Sequence, residues 1–259
     1  MQTTRRIGLK KTVSLVILPI DDFTDQIITD AKLRMYIQES QKPSIRKADG
    51  YHVFCDLDGE EVHICMEGPL YQKQILRLPL DGETQIFQVR LLPGATYPIP
   101  AGSTCLRGTL KPGSRFLLFF PEQKRSFKLL YDYDPQNRNR ELSLFQPARS
   151  CLDGKLLCIR NKGEQMEFFR VEMQKGEVCR LEEPLSGIYK KIGTSVYPVY
   201  EAFAKEDGSL YLPIRSLPGE ECRCTCYVER EAVRRFSMVL HAGEDLRITE
   251  ELLAEMGEE

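Results

Sequence analysis

The sequence predicts an all-β protein of two antiparallel β-sandwich-like domains with a short C-terminal helix. Three observations carry that expectation. Short apolar runs alternate with polar positions at period two, Asp-Gly and Pro-Gly dipeptides separate them, and no helical periodicity interrupts them before the C-terminal tail. Successive side chains of a strand point to opposite faces, so such alternation marks a sheet with one core side and one wet side. Composition agrees, because 42% apolar residues furnish core material while 18 glycines and 15 prolines furnish turns.

Taken in order, residues 1–11 read as a flexible basic arm. The apolar run 12–20 follows it, but it meets Asp21 and Asp22 without a small-residue cleavage step, so a buried strand is preferred over a secretion signal. Residues 31–37 alternate, with Ala31, Leu33, Met35 and Ile37 on one side. Asp49-Gly50 and Asp58-Gly59 are turn signals around a strand at 51–55, and Val62, Ile64 and Met66 alternate beyond them. Runs at 74–80 and 85–91 complete a first sandwich.

Prolines and glycines at 92–103 mark the boundary, giving a first domain at 12–100 and a second β-rich domain at 101–246. Strand-like runs resume at 104–110, 115–120, 127–131, 142–145, 155–160 and 167–173. They continue at 195–203, 210–214, 222–228 and 235–240. In the tail at 247–259, Thr249 is placed to cap a short helix over 250–256 whose Leu252, Leu253 and Met256 form a docking face.

An internal echo links the two halves. Lys47-Ala-Asp-Gly50 leads through a strand to Leu57-Asp-Gly-Glu-Glu, and Lys205-Glu-Asp-Gly208 leads through another to Leu217-Pro-Gly-Glu-Glu. Gly50, Gly59, Gly208 and Gly219 are therefore expected to be structural turn residues in a hairpin that recurs in two related sandwiches.

The first domain resembles the carboxypeptidase regulatory-like, or prealbumin-like (transthyretin-like), β-sandwich. The residues that carry the likeness are Asp21-Asp-Phe-Thr24 closing the first strand, the strand 31–37, and Ile45-Arg-Lys-Ala-Asp-Gly-Tyr-His-Val-Phe54. Leu57-Asp-Gly-Glu-Glu-Val62 and Gly68-Pro-Leu-Tyr71 extend it, so that residues 12–92 follow the layout. Asp58-Gly59 departs from the Pro-Gly turn frequent in that family; Leu217-Pro-Gly219 is closer. The resemblance implies an accessory module for adhesion or assembly without catalytic residues of its own. Similar domains occur in bacterial surface proteins and phage-tail-like assemblies.

Nine cysteines invite a disulfide framework, but a chain of 259 residues with 42% apolar composition does not need one, and complete pairing of an odd count would leave one thiol over. Cys55, Cys65 and Cys158 lie in apolar strand patterns, which favours reduced thiols and a cytoplasmic location. In Cys222-Arg-Cys-Thr-Cys, period two puts Cys222, Cys224 and Cys226 on one face, spaced too widely for tetrahedral thiolate ligation, so they are expected to line a core. Cys151 and Cys158 flank an Asp-Gly turn and are read as thiols as well. His52 and His63 are expected at exposed sheet positions across the Asp58-Gly59 turn, without a metal.

No phosphate-loop motif is present. The polar loop 132–140 offers Tyr133, Arg138 and Arg140 as candidate contact residues. With 36 Lys and Arg against 38 Asp and Glu, the formal net charge is −2, which disfavours nucleic acid as a partner. The expected function is a non-catalytic structural or protein-interaction component of a larger assembly. A protein partner or homo-oligomer is expected, with no cofactor, no metal and no membrane insertion. The alternative is a hydrolase or thiol/redox enzyme whose Cys and His residues are brought together by the fold.

Overall fold

The computed structural model describes residues 11–122, 126–146 and 151–255, so the basic arm at 1–10 and Met256 lie outside the described residues. The chain is almost entirely β and divides into two compact units. One comprises residues up to Asp21 with Gln26–Leu91; the other comprises Asp22–Asp25 and the chain from Leu92.

The first unit contains β1 (Val13–Asp21), β2 (Arg34–Ile37), β3 (Ile45–Arg46), β4 (His52–Cys55), β5 (Glu61–Gly68), β6 (Tyr71–Pro79) and β7 (Gln85–Leu91). One sheet has the order β3-β4-β1-β7 and the other β2-β5-β6. Leu15 and Ile17 from β1, Met35 and Ile37 from β2, and Ile64 and Met66 from β5 share one core, as their alternation requires. Strand β1 pairs antiparallel with β4 and parallel with β7, so the sheet is mixed rather than purely antiparallel.

The Asp58-Gly59 turn is a correction to the sequence reading. It carries the chain from β4 in one sheet to β5 in the other, and so is a crossover rather than a hairpin.

The second unit begins with β8 (Thr104–Thr109) and β9 (Arg115–Phe119). The chain then builds a separate body from β10 (Lys128–Leu129), α1 (Pro135–Arg138), β11 (Glu141–Phe145), β12 (Leu156–Asn161), β13 (Met166–Lys175), β14 (Val178–Leu181) and β15 (Thr194–Pro198). Its six strands follow the order β10-β11-β14-β13-β12-β15. Phe127, next to β10, exchanges hydrogen bonds of 2.8 and 3.0 Å with Val196 of β15. That bridge joins the outermost strands and closes the sheet into a small barrel, which leaves no open edge there. Leu144, Leu157, Ile159, Val171, Cys179 and Val196 fill it.

The chain then returns through β16 (Tyr200–Phe203), β17 (Ser209–Ile214), β18 (Glu221–Glu229), β19 (Val233–His241) and β20 (Asp245–Thr249), ending in α2 (Glu250–Glu255). These strands complete a sandwich of sheets β16-β9-β18-β19 and β17-β8-β20. The residues read as one second domain thus hold two cores, a sandwich and a barrel inserted between β9 and β16. Strand β20 was not expected, because charged residues flank Leu246 and Ile248. Thr249 caps α2, its hydroxyl accepting from the Leu252 amide at 3.2 Å, and Leu253 is buried in the sandwich core.

The two sandwiches share the arrangement of six of their seven strands. In each, the first strand pairs antiparallel with the strand after an Asp-Gly turn (β4, β17) and parallel with the last (β7, β20). In each, the second, fifth and sixth strands lie side by side in the other sheet, as β2-β5-β6 and β9-β18-β19, but the third strand differs: β3 pairs with β4 in the first sheet, whereas β16 pairs with β9 in the second. The turns match in hydrogen bonding too. The Gly50 amide donates to Lys47 O at 3.2 Å and Lys47 to Tyr51 O at 2.7 Å, while Gly208 donates to Lys205 O at 2.9 Å and Lys205 to Ser209 O at 3.0 Å. The same correspondence holds at the crossovers, where Leu80 donates to Glu60 O and Ala242 to Glu220 O, each at 2.8 Å. Gly50, Gly59 and Gly208 adopt φ of +92°, +103° and +79°, a region only glycine enters freely. Gly219 has no positive φ, because Pro218 in front of it makes a different turn.

Candidate functional site

The barrel is held on the sandwich by one wall and exposes another, and β13 contributes to both. On the covered wall, Leu156 and Cys158 of β12, Phe168 of β13 and Tyr197 of β15 pack against Leu117 and Phe119 of β9 and Tyr227 of β18. Phe168 meets Tyr227 edge-on at 5.2 Å between ring centroids, and Phe119 lies 5.6 Å from Tyr197. Such aromatic pairs each contribute about 0.5–1.5 kcal/mol beyond the area they bury.

A buried ion cluster pins the same joint. Glu201 of β16, only 5% exposed, accepts from Arg115 Nε of β9 and from Arg170 Nη2 of β13, both at 2.7 Å. Arg115 also reaches Glu229 at 3.0 Å, and Arg170 donates to Gly154 O at 2.8 Å.

On the opposite wall, Phe145 of β11, Val178 of β14 and Met173 of β13 point outward, 53%, 39% and 50% exposed. Register places them on one face: Val178 lies opposite Ser143, two residues before Phe145, and Met173 lies opposite Arg180, two residues after Val178. A bulge between Val171 and Met173 turns Met173 to the outer side. The sequence analysis missed this patch, because the 178–181 strand was not recognised and the bulge breaks simple alternation.

The cysteines occupy different places along β18. Cys224 and Cys226 are fully buried in the sandwich core, with sulfurs 3.8 Å apart, and the Cys224 thiol contacts Met238 O at 3.5 Å. Cys222 is half-buried at the rim, its thiol 3.5 Å from Gly219 O. The other face of the strand is buried as well, since Thr225 and Tyr227 face the barrel. All nine cysteines are free thiols, and Cys151 is the exposed one. Burial raises the Cys158 and Cys226 thiols far above the ordinary range and pushes Cys179 up to about 12, so these sulfurs are held in the weakly nucleophilic protonated form.

The histidines are not a pair. His52 sits in the first sheet of its unit and His63 in the second, and His52 is buried at 2% exposure, contrary to the exposed position expected. Its Nδ1 lies 2.8 Å from Ser44 Oγ. Burial, and then the charge of Arg46, depresses its pKa to about 4 from an ordinary 6.5. His63 is half-buried beside Glu39. Among the described residues, no three His, Cys, Asp or Glu side chains converge as metal ligands.

A pH dependence follows from His52. The unfolded chain takes up a proton near pH 6.5 and the folded chain only near pH 4. Stability from this group is therefore complete above pH 6.5 and falls by about 3 kcal/mol as pH drops to 4, with no further loss below. Thermal melts across that range should show this slope in the wild type and a flatter one in His52→Gln; equal slopes would refute it.

The three loop residues also separate. Tyr133 is completely buried in the barrel, its hydroxyl donating to Asn139 O and accepting from the Leu185 amide at 3.0 Å, so it is a core residue and not a contact residue. The loop contains α1, capped by Asp134, which accepts from the Gln136 amide at 2.9 Å. Arg138 lies over the Tyr131 ring at 5.0 Å, and Arg140 pairs with Glu183 at 3.5 Å.

No family model matches the chain, and no curated protein matches it. Among solved structures it is similar, at 10% identity, to the Bacillus anthracis TIE protein, with 91% of this chain and 49% of that one covered at a TM-score of 0.27. It is similar at 10% identity to the major pilin subunit BcpA of Bacillus cereus, covering 90% and 69% at 0.25. The shaft pilin SpaA of Lactobacillus rhamnosus GG also gives 10% identity, covering 91% and 97% at 0.22. The chain spans about half the length of the TIE protein. At these TM-scores the likenesses carry no argument about shape or function.

Proposed function

We propose that the protein is a non-catalytic structural subunit that contacts further protein through the outer wall of its barrel. The observation that carries this reading is the apolar patch of Phe145, Met173 and Val178, on a wall opposite the one spent on the sandwich. The use of Cys158, Cys179, Cys224, Cys226 and His52 as core material supports it, since these groups are withdrawn from chemistry. We read both sandwiches as prealbumin-like; the shared arrangement of six strands, with the first strand central and paired parallel to the last, supports that assignment. The buried free thiols favour a reducing cytoplasm. Among the described residues, no helix is long and apolar enough to cross a membrane.

Sedimentation velocity over a concentration series tests the contact. The purified chain should associate reversibly, and Phe145→Glu should abolish association while leaving the melting temperature within about 2 °C, as expected of a surface change. A chain that stays monomeric at every concentration, or a variant that associates like the wild type, would contradict the proposal.

A further inference from the structure

The outer wall of the barrel ends at a tight hairpin. Strands β13 and β14 close with Lys175 opposite Val178, and only Gly176 and Glu177 lie between them. Gly176 has φ of +64° while Glu177 keeps an ordinary φ, the pattern of a two-residue type II′ turn, whose twist matches that of the flanking strands. Such a turn fixes the spacing of the two charges on either side of its glycine.

Register sets these charges at the rim of the apolar patch. Lys175 lies opposite Val178 and two residues beyond Met173, so it shares their outer face. The Leu144 amide donates to Glu177 O at 2.8 Å, and the same register carried one residue further puts Phe145 beside Gly176. An added Cβ at Gly176 would meet nothing within 4 Å, so an aromatic knob stands next to an open hollow.

The remaining charges of this wall are engaged within the chain. Arg180, opposite Glu141, pairs with Glu172 at 3.0 Å, and Lys128, opposite Phe145, donates to Ser195 Oγ at 2.6 Å. Lys175 and Glu177 are both exposed, and neither has an ion-pair partner among the described residues. The hairpin end of the wall therefore offers one cation, one anion, and a knob beside a hollow. A lipid or nucleic-acid surface would call for charge of one sign. A two-fold contact calls for this set, because each group of one copy meets its complement on the other.

We infer that the partner of this wall is a second copy of the chain, related by a two-fold axis. The inference rests on the reading of the wall as a protein contact and adds the identity of the partner. Phe145 of each copy covers the partner's Gly176, and Met173 and Val178 pack around it. Lys175 of each copy pairs with the partner's Glu177. The apolar centre is small and ion pairs at a rim add little each, so the dimer is weak and reversible.

Sedimentation velocity of the full chain and of charge variants tests the pairing. The wild type should stop at the dimer, and added salt should loosen it. Lys175→Glu sets carboxylates against carboxylates, and Glu177→Lys sets ammonium groups against ammonium groups. Each alone should dimerise about tenfold more weakly, with a melting temperature within about 2 °C of wild type. Mixed in equal amounts, the two variants regain both opposite-charge pairs and should dimerise within about threefold of wild type, as should a chain carrying both substitutions. Single variants that dimerise like the wild type, or that stay apart when mixed, would overturn the two-fold pairing while leaving the wall as a contact for a different protein surface. A wild type that is monomeric at every concentration would overturn the pairing and the role of the wall together.

Discussion

Valine in place of Gly208 destabilises the sandwich of the second unit by about 3 kcal/mol, and valine in place of Gly50 does the same to the first. Two causes act together at each position. The backbone has φ of +79° at Gly208 and +92° at Gly50, where a β-branched side chain is strained. An added Cβ would also approach Leu110 O to 2.7 Å at Gly208, and Ile27 Cγ2 to 2.7 Å and Ile28 O to 3.0 Å at Gly50. Gly102 separates the causes: it has φ of +79° with nothing within 4 Å of an added Cβ, so Gly102→Ala should cost only about 1 kcal/mol. Differential scanning calorimetry reads all three. Similar small losses at the three sites would show that the matched turns do not hold the two sandwiches.

Glu201→Gln is the other severe change, expected to cost about 3 kcal/mol, because removing one partner of a buried ion pair strands the other charges. Arg115 retains Glu229 at 3.0 Å, but Arg170 loses its 2.7 Å partner and keeps the Gly154 carbonyl and the more distant Glu182 at 4.0 Å. Since Arg170 belongs to the barrel and Glu201 to the sandwich, the loss should be local to their joint. Hydrogen exchange should quicken in Tyr200–Phe203 and in the neighbouring part of Met166–Lys175 more than in Ser209–Ile214. Uniform exchange with an unchanged melting temperature would mean that the aromatic wall alone holds the barrel.

The alternation that marks a strand is legible where one face is dry. Cys224 and Cys226 were readable as core thiols for that reason, and the Asp-Gly turns at Gly50 and Gly208 because their conformation demands glycine. The barrel was not legible. The run 195–203 reads as one strand, yet Val199 separates β15 of the barrel from β16 of the sandwich, and both pieces are apolar because Val196 is buried in the barrel core and Ala202 in the sandwich core. His52 was misplaced because a neutral imidazole satisfied by Ser44 can replace an apolar residue in a core, which no pattern of hydrophobicity records.

The thiols test most directly whether the groups capable of chemistry are spent on packing. Native protein is treated with an alkylating reagent under reducing conditions, and labelling is followed site by site by mass spectrometry, with metal analysis of the same preparation. Cys151 should react at once and Cys222 more slowly, while Cys158, Cys179, Cys224 and Cys226 should react only as the protein unfolds, with no stoichiometric metal present. Rapid native labelling of Cys224 and Cys226, or one zinc per chain lost on Cys224→Ser, would contradict a structural role and place reactive chemistry in that strand.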